Sequence, residues 1–361
     1  MYKRNKQEQQ SISFKVLSHK NTKAALKFLR KGGTRSDFFS HSVSELLKIG
    51  FDKETLKLFK EDYNRIAEEE RKLAQDNGIE IVFVNSDYFP PLLKEIYNPP
   101  EYLYVKGDID VLKTMMIGVV GSRKGTEYGR RTIAKIIPDL VSENITIVSG
   151  MAYGIDSMSH KESIKNGGKT IGVNAGGLLH IYPSGNLSLI NKIISNGCVV
   201  SELPLEMQPR PHLFPIRNRI IAGMSKSILV VEAEMRSGSL ITARLALEQN
   251  RDIFSIPGRV DMPLCRGTNY LIQQGAKLIT SSKDILIEYG IELKKIGKVN
   301  PKHLLPKEKI ILDLMKENDV NSINYFVEKT ENSVSEIVPV LMGMVLKNLI
   351  AEEEGGFVRI I

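Results

Sequence analysis

The sequence predicts an α/β protein: a mostly parallel sheet covered by helices on both faces, preceded by a small helical module and followed by a winged-helix unit. Three observations carry that prediction. Between Met115 and Thr280, seven apolar, β-branched runs alternate with six helical stretches, the pattern of a parallel sheet with crossover helices. Glycines and polar residues collect directly after those runs, where such sheets bind ligands. Beyond Gly290 the composition turns basic and poor in apolar residues, which marks a linker. At 361 residues the chain also exceeds what one core organises, so two or three domains are expected.

Residues 1–77 form the first expected unit. Thr22–Lys31, Val43–Gly50 and Lys53–Asp76 read as helices, the last with apolar Leu56, Leu58, Phe59, Tyr63 and Ile66, and Gly32-Gly33 and Gly50 separate them. The module carries no evident chemistry and reads equally well as a partner-binding or a packing element. Residues 78–290 form the second unit. Ile79–Asn85 reads as a strand, and Asp87 to Val105 as an irregular run punctuated by prolines.

The regular pattern follows. Expected strands are Met115–Val120, Ile145–Ser149, Thr170–Asn174, Cys198–Ser201, Ile228–Glu232, Ile253–Ile256 and Lys277–Thr280. Expected helices are Tyr128–Ser142, Gly154–Asn166, Asn186–Asn196, Pro215–Met224, Ser239–Gln249 and Asn269–Gly275. Residues 291–305 read as the linker. In residues 306–361, helices at Pro306–Asn318, Ile323–Lys329 and Ser333–Lys347 precede a hairpin turning at Gly355-Gly356, the order of a winged helix. Its third helix holds one lysine and no arginine, and the hairpin carries Glu352-Glu353-Glu354, so protein contact is expected ahead of DNA contact.

The formal charge of +8 favours an acidic partner such as nucleic acid. From Thr114 to Gly290 there are 20 Lys/Arg against 14 Asp/Glu, several of the bases at strand-to-helix turns. No run of about 18 apolar residues could span a bilayer, the first ten residues lack the apolar core of a secretory signal, and two cysteines make no disulfide framework. A cytoplasmic protein without membrane association is expected.

Two segments suit anions. Phe214-Pro-Ile-Arg-Asn-Arg219 opens a helix, whose bare N–H groups and partial positive charge combine with the forked donors of Arg217 and Arg219. Gly121-Ser122-Arg123 repeats the scheme after the first strand, with glycine allowing close backbone approach. Ser237 and Ser239 are better read as anion-binding groups at a helix start than as nucleophiles, because the G-x-S-x-G elbow is absent. Phe214 has two readings, stacking on an exposed base or packing in the core.

Other motifs weaken under inspection. Gly168-Lys169-Thr170 resembles the end of a phosphate loop, but Ser163 replaces its first glycine and the triplet precedes a strand. Gly118 to Gly125 lacks the spacing of a dinucleotide turn, and Ser149-Gly150 offers no acid to a ribose. Asp156 and His160 could pair along a helix, most simply as a structural bond. Six scattered histidines and two unpaired cysteines offer no metal-ligand spacing, so neither metal nor cofactor is expected.

Taken in order, Gly121-Ser-Arg123, Ser149 to Asp156 with His160, Tyr182-Pro183 with Asn186, Phe214 to Gly223, Ser237 to Ala243 and Gly267 to Ile272 resemble the DNA-processing protein DprA (Smf) family over roughly Gly78–Thr280. The resemblance implies an extended Rossmann-like domain, usually dimeric, that binds single-stranded DNA and loads the RecA recombinase during natural transformation and recombination. It implies that Gly121, Ser122, Arg123, Gly150, Lys169, Arg210, Phe214, Arg217, Asn218, Arg219, Ser237 and Ser239 meet DNA. Three departures touch the pocket rim: Ala175-Gly-Gly-Leu-Leu179 lacks a family glycine and carboxylate, Asn250 replaces a glycine, and the basic residue before Phe214 is displaced to Arg210 or His212.

The expected function is therefore non-catalytic. A nucleotide-hydrolysing enzyme of the lysine-decarboxylase-like type is the alternative, with Glu202 and Glu232 as its acids, although its P-G-G-x-G-T-x-x-E signature is missing. A protein-binding scaffold with an incidental basic rim is the third reading.

Overall fold

The computed structural model describes residues 6–20, 24–25, 27–28, 35–291, 304–315, 320–346, 349–353 and 355–359. The chain divides into two compact units, Met1–Ile285 and Leu286–Ile361. Among the described residues no helix is long and apolar enough to cross a membrane.

The first unit begins with helices α1 (Lys6–Lys20), α2 (Arg35–Ser40), α3 (Val43–Ile49) and α4 (Lys53–Asp76). Ser42 and Glu45 close the start of α3 as a capping box, and Gly50, at φ 115°, closes its end in a left-handed turn. Phe28, Phe38 and Phe51 are buried together in edge-to-face contacts. The expected helix over 22–31 falls largely outside the described residues. Helix α1 has no counterpart in the sequence reading. It packs on α4 with Ser13 donating to the Tyr63 carbonyl (2.6 Å) and Arg71 paired with Glu8 (2.9 Å). Its buried positions include Ser11 and Ser13 beside Ile12 and Leu17, so burial along it does not follow hydrophobicity.

The sheet then accumulates from β1 (Glu80–Phe83), β2 (Tyr102–Gly107), β3 (Met116–Val120), β4 (Thr146–Ser149), β5 (Thr170–Val173), β6 (Gly197–Ser201), β7 (Ser227–Val230), β8 (Asp252–Ser255) and β9 (Lys277–Leu278). Helix α5 (Pro91–Lys94) follows β1; α6 (Glu127–Ser142), α7 (Ile155–Lys165), α8 (Leu187–Asn196), α9 (Leu213–Met224), α10 (Gly238–Glu248), α11 (Pro263–Gln273) and α12 (Ser282–Glu288) intervene or follow from β3 onward. The order is β1-β2-β6-β5-β4-β3-β7-β8-β9, parallel from β6 to β9, with β1 and β2 forming an antiparallel margin. Strands β3 to β7 are buried along their whole length, which is why they read as unbroken apolar runs.

Strand β2 corrects the irregular run expected before Val105. Tyr102, Leu103, Tyr104 and Val105 are all buried, so the strand lacks alternation, and the prolines just before it masked its start. Two helices begin two or more residues earlier than expected. Helix α9 starts at Leu213, which places Pro215 inside its first turn, and α11 starts at Pro263, a residue suited to a first helical position.

The connections fix the ligand site. Steps β3 to β4, β4 to β5 and β5 to β6 move one way across the sheet, whereas β7 to β8 and β8 to β9 move the other way from the adjacent β3 and β7. Right-handed crossovers therefore put α6, α7 and α8 on one face and α10 and α11 on the other. The loops after β3 and β7 part in opposite directions, and a crevice opens between them at the carboxyl edge.

The second unit contains α13 (Pro306–Leu314), α14 (Ile323–Thr330), α15 (Val334–Leu346) and the hairpin of β10 (Ile350–Glu353) and β11 (Gly356–Arg359). Gly355 takes φ 98° at the turn. Ile311, Phe326, Leu341, Met344 and Phe357 make its core, and an isolated bridge joins Asn321 to Phe357.

Candidate functional site

The crevice between the ends of β3 and β7 encloses about 390 Å³. One wall is Gly121-Ser122-Arg123-Lys124. A Cβ on Gly121 would stand 2.6 Å from Ile155, and Gly154, at φ 76°, lies so close to the Ser122 carbonyl that a Cβ would meet it at 2.2 Å. The Ile155 amide donates to Ser122 O (3.1 Å), while the Ser122 amide donates to Glu232 O (2.7 Å). The loop is thus clamped between the start of α7 and the end of β7. The Ser122 amide, one of the groups expected to meet an anion, is already engaged, and the exposed side chains of Arg123 and Lys124 remain as this wall's donors.

The opposite wall is the start of α10. Ser237 caps the helix by accepting from the Ser239 amide (3.2 Å), and its hydroxyl lies 2.5 Å from that of Ser239. Gly238 has open space where a Cβ would project. The positive end of an eleven-residue helix therefore faces the crevice beside the exposed Arg236.

Helix α9 supplies the floor. Arg217 is 6% exposed and donates from Nη1 to the Val173 carbonyl (2.5 Å). Its guanidinium lies flush against Gly150, where a Cβ would come within 2.3 Å of Nη1. Burial lowers its pKa to about 10, opposed by Asp156 and assisted by Arg123, so it stays protonated at neutral pH. Asp156 accepts from the amides of Gly150 (3.1 Å) and Ala152 (3.4 Å). Its own carboxyl is raised by burial, with Arg217 pulling the other way.

Phe214 stands one turn before Arg217, half-buried. The guanidinium carbons of Arg123 and Arg217 lie 5.4 and 5.9 Å from its ring centroid, and Tyr182 meets it edge-on at 5.6 Å. The ring is therefore fixed at the crevice mouth between two cations. Behind α7's inner face, Thr170 spends its only hydroxyl proton on Ile147 O (2.8 Å), so His160 must donate to it from Nδ1 (2.7 Å). His160 Nε2 is left buried without a partner. Burial, reinforced by Arg217, lowers the imidazole pKa to about 3.

Of the residues expected at the site, Gly121, Ser122, Arg123, Phe214, Arg217, Asn218, Ser237 and Ser239 line this one crevice, and Gly150 lies beneath it. Three lie elsewhere. Lys169 precedes β5, at the amino edge of the parallel strands, paired with Asp108 (3.1 Å). Arg219 is tied to Glu202 and to the Asn98 carbonyl (2.8 Å). Arg210 is exposed ahead of α9 and is not among the lining residues. Lys169 is thus kept apart from Arg123 and Arg217, because a parallel sheet holds its strand starts and strand ends on opposite edges. Lys124, Glu234, Arg236 and Thr242 also line the crevice and were missed, although Lys124 and Arg236 each adjoin a residue singled out in the sequence.

The carboxylates expected of a hydrolase are engaged in the scaffold. Glu232 is buried and accepts from Thr126 N (2.8 Å) and Thr126 Oγ1 (2.5 Å), holding the start of α6. Glu202 is buried between Lys15 (3.4 Å) and Arg219. Burial raises its pKa, but the two cations together leave it below the usual carboxylate range. Among the described residues no group of His, Cys, Asp or Glu could hold a metal ion. The arrangement suits an anion on Arg123, Lys124, Arg236 and the α10 amides, with a flat ring against Phe214.

A family model described as DNA recombination-mediator protein A matches residues 80–290. The chain is 46% identical over 215 residues to DNA processing protein DprA of Bacillus subtilis, covering 59% of this chain and 72% of that one. It is 35% identical over 288 residues to Protein Smf of Escherichia coli, covering 78% and 77%. Among solved structures, DNA processing protein A from Streptococcus pneumoniae superposes with a TM-score of 0.61 at 37% identity, over 76% of this chain and 97% of that one. DNA processing protein A from Helicobacter pylori, described with a single-stranded DNA binding mode, gives a TM-score of 0.53 at 27% identity over 58% and 95%.

Proposed function

We propose, from the premise that the chain belongs to the DNA recombination-mediator protein A family, that it binds single-stranded DNA in the crevice between β3 and β7. As a cytoplasmic homodimer without catalytic activity, it protects that DNA and delivers it to the RecA recombinase in natural transformation and recombination. The observation that carries this reading is the convergence of Arg123 and Arg217 on Phe214 beside the Ser237-capped, positive start of α10. Phosphates would engage Arg123, Lys124, Arg236 and the Ser239 end of α10, with a base against Phe214. Arg217 acts mainly from beneath, as the buried charge that holds the floor positive. Helical module 1–77, DNA-binding domain 78–290, linker 291–305 and winged helix 306–361 are the working boundaries.

Fluorescence titration of single- and double-stranded oligonucleotides across a salt series tests the reading. It expects preference for the single strand and affinity that falls steeply with salt. Equal affinity for both, or none for either, would overturn it. Shortening of the RecA nucleation lag on single-stranded DNA, measured with and without the protein, tests delivery.

A further inference from the structure

A second groove, of about 350 Å³, opens beside α6 over the ends of β8 and β9. The topology accounts for it: α10 and α11 cross on the other face, so the α6 face of β8 and β9 has no crossover helix of its own. Its floor is apolar, made by the buried Ile136, Ile256 and Ile279. Its lip is cationic, made by Arg131 and Lys135, both exposed and four residues apart on α6. That spacing is about 6 Å along the helix axis, close to the step between successive phosphates of an extended single strand. No carboxylate lines the groove; Glu127, one turn back, pairs with Arg131 at 3.1 Å across an exposed contact. Tyr128 lines the groove from the first turn of α6. Its hydroxyl donates to the Pro257 carbonyl at 2.6 Å, while 44% of the residue stays exposed, so it presents a fixed aromatic surface.

The groove and the crevice share one piece of chain. Arg123 and Lys124 leave the crevice wall, Thr126 caps α6, and Tyr128, Arg131 and Lys135 follow along the helix. Cations and an aromatic ring thus continue from the first site into the second. We infer that the groove is a second nucleotide subsite, holding the next nucleotides of the same single strand, with a base on the isoleucine floor beside Tyr128 and phosphates on Arg131 and Lys135. This rests on the crevice being the first DNA site.

The test compares a short oligothymidylate that fills the crevice alone with one several nucleotides longer. Full-length wild-type protein is set against Arg131→Glu/Lys135→Glu and, separately, Thr132→Trp, which fills the groove without changing its charge. Wild type should bind the longer oligonucleotide about tenfold more tightly at low salt, with a salt slope steeper by about 1.4 for two added phosphate contacts. Both variants should lose that increment and bind the short oligonucleotide as wild type does. A wild type without a length increment, or an increment that survives in both variants, would overturn the second subsite while leaving the crevice intact. Wild type that binds neither oligonucleotide would overturn the crevice reading, and the subsite with it.

Discussion

The absence of a side chain on Gly150 gives the guanidinium of Arg217 its resting place: a Cβ there would lie 2.3 Å from Nη1. The arginine could not yield cheaply, because Nη1 is held by the Val173 carbonyl and the same guanidinium faces buried Asp156. Gly150→Val is expected to expel Arg217, destabilise the fold by about 1–3 kcal/mol and weaken DNA binding. Arg217→Ala should also destabilise, by about 1–3 kcal/mol, because it leaves the buried Val173 carbonyl without this donor and removes the cation that acts on buried Asp156. Adding Asp156→Asn should recover part of that loss. Urea unfolding of the single and double variants measures it, and additive losses would show that the two side chains do not compensate one another.

The salt dependence of binding separates the crevice from the rest of the basic surface. Arg123 is exposed at the crevice wall, whereas Lys169 lies at the opposite edge of the sheet with Asp108. Arg123→Ala should lower the slope of log K against log salt by about 0.7, one single-strand phosphate contact. Lys169→Ala should leave the slope unchanged. Equal effects would mean that DNA crosses both edges.

The contrast between Arg123 and Lys169 also shows how far the sequence could be read. Element order, the parallel sheet and most crevice residues were legible because buried strands appear as unbroken apolar runs and loops collect glycine and serine. Which edge a residue occupies depends on its place before or after its strand, and Gly168-Lys169 looked like a loop element until β5 began at Thr170. Arg219 resembled Arg217 in the sequence, but two positions along a helix turn a side chain far around the axis, here towards Glu202. Strand β2 was hidden by its prolines, and α1 by buried serines. The partnership of Lys15 with Glu202 spans 187 residues and leaves no local signal.

The partners of Arg219 accordingly point to a part in stability. Its guanidinium and Lys15 share the buried Glu202 carboxylate, joining α1 and α9. Arg219→Ala is expected to destabilise by about 1–3 kcal/mol, since Lys15 still faces the carboxylate, and to change single-strand affinity less than twofold. Thermal unfolding and an oligonucleotide titration on the same preparation check both halves. A large loss of affinity in a fully stable variant would return Arg219 to the DNA site.

Phe214 is half-buried, with Arg123 and Arg217 near its ring and Tyr182 at its edge. Phe214→Leu retains an apolar side chain but removes the flat surface. It should preserve stability to within about 1.5 kcal/mol, as hydrophobic swaps of similar volume do, while affinity falls by about 1–3 kcal/mol, the value of one base stack. Loss of stability without loss of affinity would make the ring a packing element.

His160 makes stability depend on acid. Its imidazole is buried neutral, with a pKa lowered from 6.5 to about 3 by burial and by Arg217. Below pH 6.5 the unfolded chain takes up a proton that the folded chain refuses, so stability falls with pH from about 6.5 until folded His160 titrates near 3, and this contribution is level above 6.5. The slope from this one group is at most about 1.4 kcal/mol per pH unit. Carboxylates add their own dependence in the lower part of the range, so the decisive quantity is a difference between proteins. Asn at position 160 can still donate to Thr170 and cannot titrate. Urea unfolding of wild type and His160→Asn between pH 7 and pH 5 should therefore give a steeper wild-type slope, by up to about 1.4 kcal/mol per pH unit, whatever the variant loses at neutral pH through packing. Parallel slopes would mean that the histidine accepts its proton in place, with Nε2 reaching water or a partner in the folded protein.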